Sequence, residues 1–159
     1  MFNYYLKNAG WALVGILVMC ALGVLLIQIE EQWLWTMVDP APGTRMEDWM
    51  AAYERAAWYS IPTATMISLL WCTYSLIDTS REGDGRSIWI AMYAVCVIAA
   101  MGFCYIWFAG SQAGAWSGYI AVTADSIVVF WLSTLFFSPS THRYAPIGAL
   151  YLRGRFGLL

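Results

Sequence analysis

The chain has 159 residues, 61% of them hydrophobic and only 11% charged, whereas a soluble domain is about half apolar and about one quarter charged. A formal net charge of −2 gives no electrostatic footing for nucleic-acid binding, and a single histidine leaves no basis for a His-rich metal site or a doubly His-ligated haem. Length suggests one domain, and a mean hydropathy of +0.61 places it in a bilayer.

The first apolar run covers residues 11–29. About 20 apolar residues cross the ~30 Å hydrocarbon layer as a helix. The run exceeds an ordinary signal-peptide core. It is expected to be an uncleaved signal anchor and the first transmembrane helix.

Residues 30–55 are expected to form a helical hairpin on the outer face. "DPAPG" at 39–43 halts a helix, because Pro40 and Pro42 lack the amide and push their predecessors toward extended geometry. The first helix should therefore run on to about Val38. Thr44 and Glu47 have capping-box spacing, so the next helix should begin at Arg45 and continue into the second span. Met46, Trp49, Met50, Tyr53 and Ala57 recur at helical steps and make a stripe. It has three possible destinations: the hairpin's own partner helix, the membrane surface, or another protein. Trp49, Met50 and Tyr53 are the candidate partner-binding residues.

The second span is placed at 56–77. Thr65, Ser68, Cys72 and Ser75 line one face of it, and Pro62 frees the carbonyl of residue 58. "DTSREGDGRS" at 78–87 is a polar turn. It contains Gly83 and Gly85 but has neither the GxxxxGK[ST] spacing of a phosphate loop nor a preceding strand. The third span is placed at 88–108 and the fourth at 118–137, joined by the uncharged turn "AGSQAGAWSG". None of the four runs alternates as barrel strands do, so helices are expected throughout. The tail, 138–159, carries Arg143, Arg153 and Arg155 with no acid. It suits anionic lipid heads or a cytoplasmic partner. His142 lies just beyond the fourth span and is expected at the surface.

Four spans put both termini on one side. That side holds Lys7, Arg81, Arg86, Arg143, Arg153 and Arg155, and the other only Arg45 and Arg55. The positive-inside rule then gives N-in, C-in. Trp11 and Trp89 fall at the inner interface, and Trp33, Trp35, Trp49, Trp58, Trp107 and Trp116 at the outer one, as an aromatic belt requires. Trp71 and Trp131 fall within the spans.

Asp125 interrupts the fourth span. A mid-span carboxylate costs about 2.5–3.5 kcal/mol for insertion, and each large aliphatic or Phe side chain returns about 0.3–0.6 kcal/mol. The helix still inserts, with the carboxylate turned to the bundle interior. Counting from the ends of the runs puts Asp125 level with Thr63–Thr65 and with Gly102–Tyr105, and it is expected to look toward Thr65, Ser68 or Tyr105. No Lys, Arg or His lies in a span, leaving three roles open: a bond between helices, a contact to another subunit, or a proton or cation site.

The four cysteines, Cys20, Cys72, Cys96 and Cys104, all lie in apolar runs without CxxC spacing and are read as packing residues. No catalytic residue, metal site or cofactor is expected. The all-α, four-span chain is expected to be a non-catalytic structural or assembly subunit of a larger membrane complex, a secretion or conjugation machine or an energy-transducing complex. The alternative is a small oligomeric transporter or channel coupled to protons or ions through Asp125. Its expected partners are the lipid bilayer and other membrane subunits or further copies of itself, in a membrane of bacterial cytoplasmic type.

Overall fold

The computed structural model describes residues 2–37, 45–77, 85–108 and 115–137. They form four helices and no strand: α1 (Phe2–Met37), α2 (Met46–Ile77), α3 (Gly85–Phe108) and α4 (Ala115–Phe137). At 1.5 Å per residue the lengths are about 54, 48, 36 and 35 Å. All four helices are at least as long as the hydrocarbon layer is thick.

The helix ends follow from local chemistry. Arg45 O accepts the amides of Asp48 (3.1 Å) and Trp49 (3.2 Å), closing the first turn of α2. Glu47 and Asp48 occupy that turn, where the positive end of the helix dipole favours acids. Arg45 Nε also meets Asp48 Oδ2 at 3.4 Å. The expected cap, Thr44, and the "DPAPG" stop lie outside the described residues.

Three pairs set α3 against α4. Trp89 Nε1 donates to Thr134 Oγ1 at 3.1 Å, Cys96 Sγ donates to Ser126 O at 3.6 Å, and the Phe108 ring meets Tyr119 at 5.8 Å. Residue numbers rise on one helix as they fall on the other, so the pair is antiparallel. Trp49 against Phe108 (6.0 Å) and Tyr59 against Phe103 (5.7 Å) make α2 and α3 antiparallel too. Helices α2 and α4 both pack on α1 and on α3 and touch each other. The section is a diamond, with α1 and α3 at its far corners.

Helix α2 holds the central place because small side chains surround most of it. Ala52, Ala56, Ala57, Ser60, Ala64, Thr65, Ser68, Cys72 and Ser75 are all buried. Beyond its exposed first turn, a stripe through Glu54, Arg55, Trp58, Tyr59, Met66, Leu70 and Thr73 faces outward. Small residues let backbones approach closely, as in membrane helix packing. On α1 the close approach is at Gly23, where a Cβ would stand 3.0 Å from Val129 Cγ2 and 3.1 Å from Ile61 Cγ2.

The outside is the reverse of the inside. Leu13, Val14, Leu17, Val18, Leu22, Leu25, Leu26 and Ile29 of α1 are exposed, as are Ile90, Val95, Ile98, Met101 and Ile106 of α3. Among the described residues, Gly85–Phe108 and Trp116–Leu135 are long and apolar enough to cross a membrane, and Leu13–Ile29 is a shorter apolar run.

Most of the stripe on the expected outer hairpin is closed within the chain, while Met46 at its start is exposed. Trp49 and Tyr53 are fully buried and stack on each other at 5.5 Å. Trp49 also reaches the Phe108 ring at the end of α3. The start of α2 is thus level with the end of α3. Trp49 and Tyr53 offer no surface to a partner, which corrects their assignment as partner-binding residues. Met50 beside them is partly buried against the same core.

Candidate functional site

The polar interior is a set of hydroxyls, most of which are bonded to their own helix. Ser60 Oγ donates to Ala56 O (2.7 Å), Thr65 Oγ1 to Ile61 O (2.9 Å), Ser68 Oγ to Ala64 O (2.9 Å) and Ser75 Oγ to Cys72 O (2.9 Å). On α4, Ser126 Oγ donates to Val122 O at 2.8 Å. A hydroxyl bonded to the preceding turn needs no water, so such a residue can be buried where water is scarce. Three of these, with Thr63 Oγ1 on Tyr59 O (2.7 Å), bracket Pro62, and α2 remains one helix through it.

Asp125 is half-buried, and its Oδ2 is shut away from the surface. Its neighbour Ser126 accepts the Cys96 thiol through its carbonyl, which puts Asp125 near residue 97 of α3. Tyr105 lies eight residues further on, about 12 Å along the helix. It is also 70% exposed on the outward face of α3. The expected grouping of Tyr105 with the buried hydroxyls is therefore corrected. Counting from the run ends misplaced it, because α4 starts at Ala115 rather than 118 and the two helices do not advance in equal steps from their shared loop. Thr65 and Ser68 are buried on α2.

The sequence reading missed the hydroxyls that face inward from α4: Ser126, Ser133 and Thr134. Their signal was present, since Ser126 and Ser133 are one heptad apart in an otherwise aliphatic run. Thr134 Oγ1 accepts from the buried Trp89 indole and donates to Trp131 O at 3.1 Å. The Ser133 hydroxyl is fully buried and makes no hydrogen bond among the described residues.

The tryptophans divide. Trp33, Trp58 and Trp116 are exposed, as a belt requires, but Trp49 and Trp89 belong to the interior, as does Trp71. At the end of α2 and α3 where Trp49 meets Phe108, the Arg55 guanidinium lies 5.3 Å from the Trp107 ring centre, and Tyr59 stacks on Trp107 at 5.8 Å. This cation–π stack gives the exposed arginine an aromatic partner.

Cys72, Cys96 and Cys104 are buried at helix contacts and Cys20 is half-buried. No group of three His, Cys, Asp or Glu side chains gathers among the described residues. Arg143, Arg153, Arg155 and His142 lie outside them. No family model matches the chain, and neither a curated protein nor a solved structure matches it. The chemistry on offer is therefore read from the fold alone: hydroxyls buried at helix contacts, and one half-buried carboxyl group, Asp125.

Proposed function

We propose that the chain is a four-span integral membrane protein, N-in and C-in, that serves as a non-catalytic subunit of a larger membrane complex. One observation carries the membrane part. Small and hydroxyl-bearing residues fill the interior while large aliphatic ones cover the outside. In water this surface would be an aggregation hazard, since soluble monomers rarely expose apolar patches beyond a few hundred Å². In lipid it costs nothing, and packing of small residues replaces the hydrophobic effect as the force between helices.

The subunit role is supported by the scarcity of reactive groups. Of the ten acids, one lies within a span, and the single histidine follows the last. A chain built this way contributes helices and surface more readily than catalysis. The complex we have in mind is a secretion or conjugation machine or an energy-transducing assembly in a bacterial cytoplasmic membrane. Purification in mild detergent followed by native mass spectrometry tests this. Different polypeptides in fixed ratio are the expected result; a single species in a defined multiple would reject the subunit role.

Asp125 favours a second reading, a small oligomeric transporter or channel. A half-buried carboxyl midway along α4 is what a proton-coupled path needs. Infrared carboxyl absorption in lipid, compared between the chain and Asp125→Asn, separates the two. A carboxyl band that titrates near neutral pH supports coupling, and one that never titrates rejects it.

A further inference from the structure

Leu135, in the last turn of α4, is fully buried although it points away from the bundle. Two contacts fix the inward side of α4. Val129 stands against α1 at Gly23, and Thr134 bonds to Trp89 of α3. Val122, Ser126 and Phe130, all buried, fall in the arc between these two directions. At 3.6 residues per turn Leu135 lies about 120° from Val129 and about 100° from Thr134, on the remaining side. Ala124 and Val128 share that side, each within about 20° of Leu135. Both are exposed, Val128 to 44%, whereas Leu135 is at 0%. Among the described residues the contiguous core includes Val129 and Phe130 but not Leu135.

We propose that an apolar run of the C-terminal tail, residues 144–152 ("YAPIGALYL"), folds back over Leu135 and covers the outward face of α4 at its last turn. Position selects this cover. Residues 38–44 and 109–114 attach at the opposite end of the bundle, where Trp49 and Tyr119 meet Phe108, about 30 Å along α4 from Leu135. Residues 78–84 are taken up in joining Ile77 to Gly85. Helix α1 meets α4 on a face about 120° away. The tail begins at Ser138, three residues beyond Leu135.

The tail also has the right composition. "SPSTHR" at 138–143 is polar, and Pro139 lacks the amide that a continued helix needs. Six extended residues reach about 20 Å, ample for a reversal to a site about 3 Å of axis before Phe137. The run that follows brings Ile147, Leu150 and Leu152 to the leucine, and Arg143 and Arg153 flank it with charge. The tail is thus a strap on its own chain and not a free arm for a cytoplasmic partner. This goes beyond the subunit role and does not depend on the bilayer reading, because the burial of Leu135 belongs to the folded chain.

The test places the photoreactive residue p-benzoylphenylalanine at position 135 of the full chain in mild detergent, with position 128 as the exposed control. After irradiation, peptide mass spectrometry should find a cross-link within one chain from position 135 to residues 144–152, and detergent adducts alone from position 128. A principal cross-link from position 135 to the first turns of α1, to residues 78–84, to a second copy or to detergent overturns the proposal. Thiol labelling repeats the test with a small side chain. In the full chain with Cys20, Cys72, Cys96 and Cys104 replaced by serine, Leu135→Cys should react with a methanethiosulfonate reagent roughly tenfold more slowly than Val128→Cys, since it must wait for local opening. Adding Ile147→Ser, Leu150→Ser and Leu152→Ser should bring the two rates together. Equal rates before those changes, or a Leu135→Cys thiol still protected after them, overturn the proposal. If the serine background loses helix content by circular dichroism, the cross-link decides alone.

Discussion

Individual residues carry unequal weight here, and the glycines show it. A Cβ at Gly118 would collide with the Phe108 ring, the ring that also meets Trp49 and Tyr119. At Gly102 nothing lies within 4 Å of a built Cβ. Gly118→Ala should therefore destabilise the bundle by about 1–3 kcal/mol through overpacking. Gly102→Ala should be neutral or stabilise by up to about 1 kcal/mol, since alanine is the better helix former. Thermal unfolding in detergent reads both, and equal effects would contradict the packing around Phe108. Thr134 offers a polar counterpart. Thr134→Val keeps the shape but removes the acceptor of the Trp89 indole, a buried donor. The loss should be about 1–3 kcal/mol if no other acceptor is in reach, or nearer 0.6 kcal/mol if the membrane average holds. An unchanged midpoint would mean that the indole finds another partner.

At the scale of the element, the buried hydroxyls of α2 bond to their own helix, and fit sets how closely its neighbours approach. The Ser68 hydroxyl is fully buried yet bonded to its own helix at Ala64 O. Ser68→Ala removes that bond together with the group that needed it, so the cost should stay below about 1 kcal/mol. Ser68→Leu adds bulk where neighbouring helices close in and should cost about 1–3 kcal/mol. If alanine were the worse of the two in chemical unfolding, hydroxyl bonding would be the stronger term. The helices themselves were legible beforehand. Proline stops, polar turns and apolar runs gave α1 running to about residue 38 and α2 starting at Arg45; among the described residues α1 is helical through Met37 and α2 begins at Met46. The helix neighbours were harder to read. A stripe of Trp49 and Tyr53 looks the same in sequence whether it meets a foreign protein or Phe108. The hydropathy of a run does not fix its rotation about its axis. That is why Tyr105 fell among the expected polar neighbours of Asp125 and Ser126 did not. Register between α3 and α4 is set by long-range pairings, Trp89 with Thr134, Cys96 with Ser126 and Phe108 with Tyr119, that no local pattern encodes.

For the whole molecule, the unequal helix lengths and the inverted surface together predict a definite response to charge. If α1 to α4 all cross the bilayer, the loop 78–84 and both termini lie inside, and residues 38–45 and 109–114 lie outside. The margin is not carried by one loop. Lys7 and the three arginines of the tail remain if Arg81 and Arg86 are both replaced by glutamine. Each basic residue near a span end adds its own bias to the orientation. The double variant Arg81→Gln, Arg86→Gln should therefore keep the N-in, C-in arrangement. Adding Arg143→Gln, Arg153→Gln and Arg155→Gln leaves Lys7 alone against Arg45 and Arg55 and should produce a mixed population. A two-way reporter after Leu159, fluorescent inside and enzymatically active outside, measures this directly. A fully inverted double variant would mean that the 78–87 turn dominates insertion. An unmoved quintuple variant would mean that bundle packing, centred on α2, fixes the orientation after insertion whatever the loops carry.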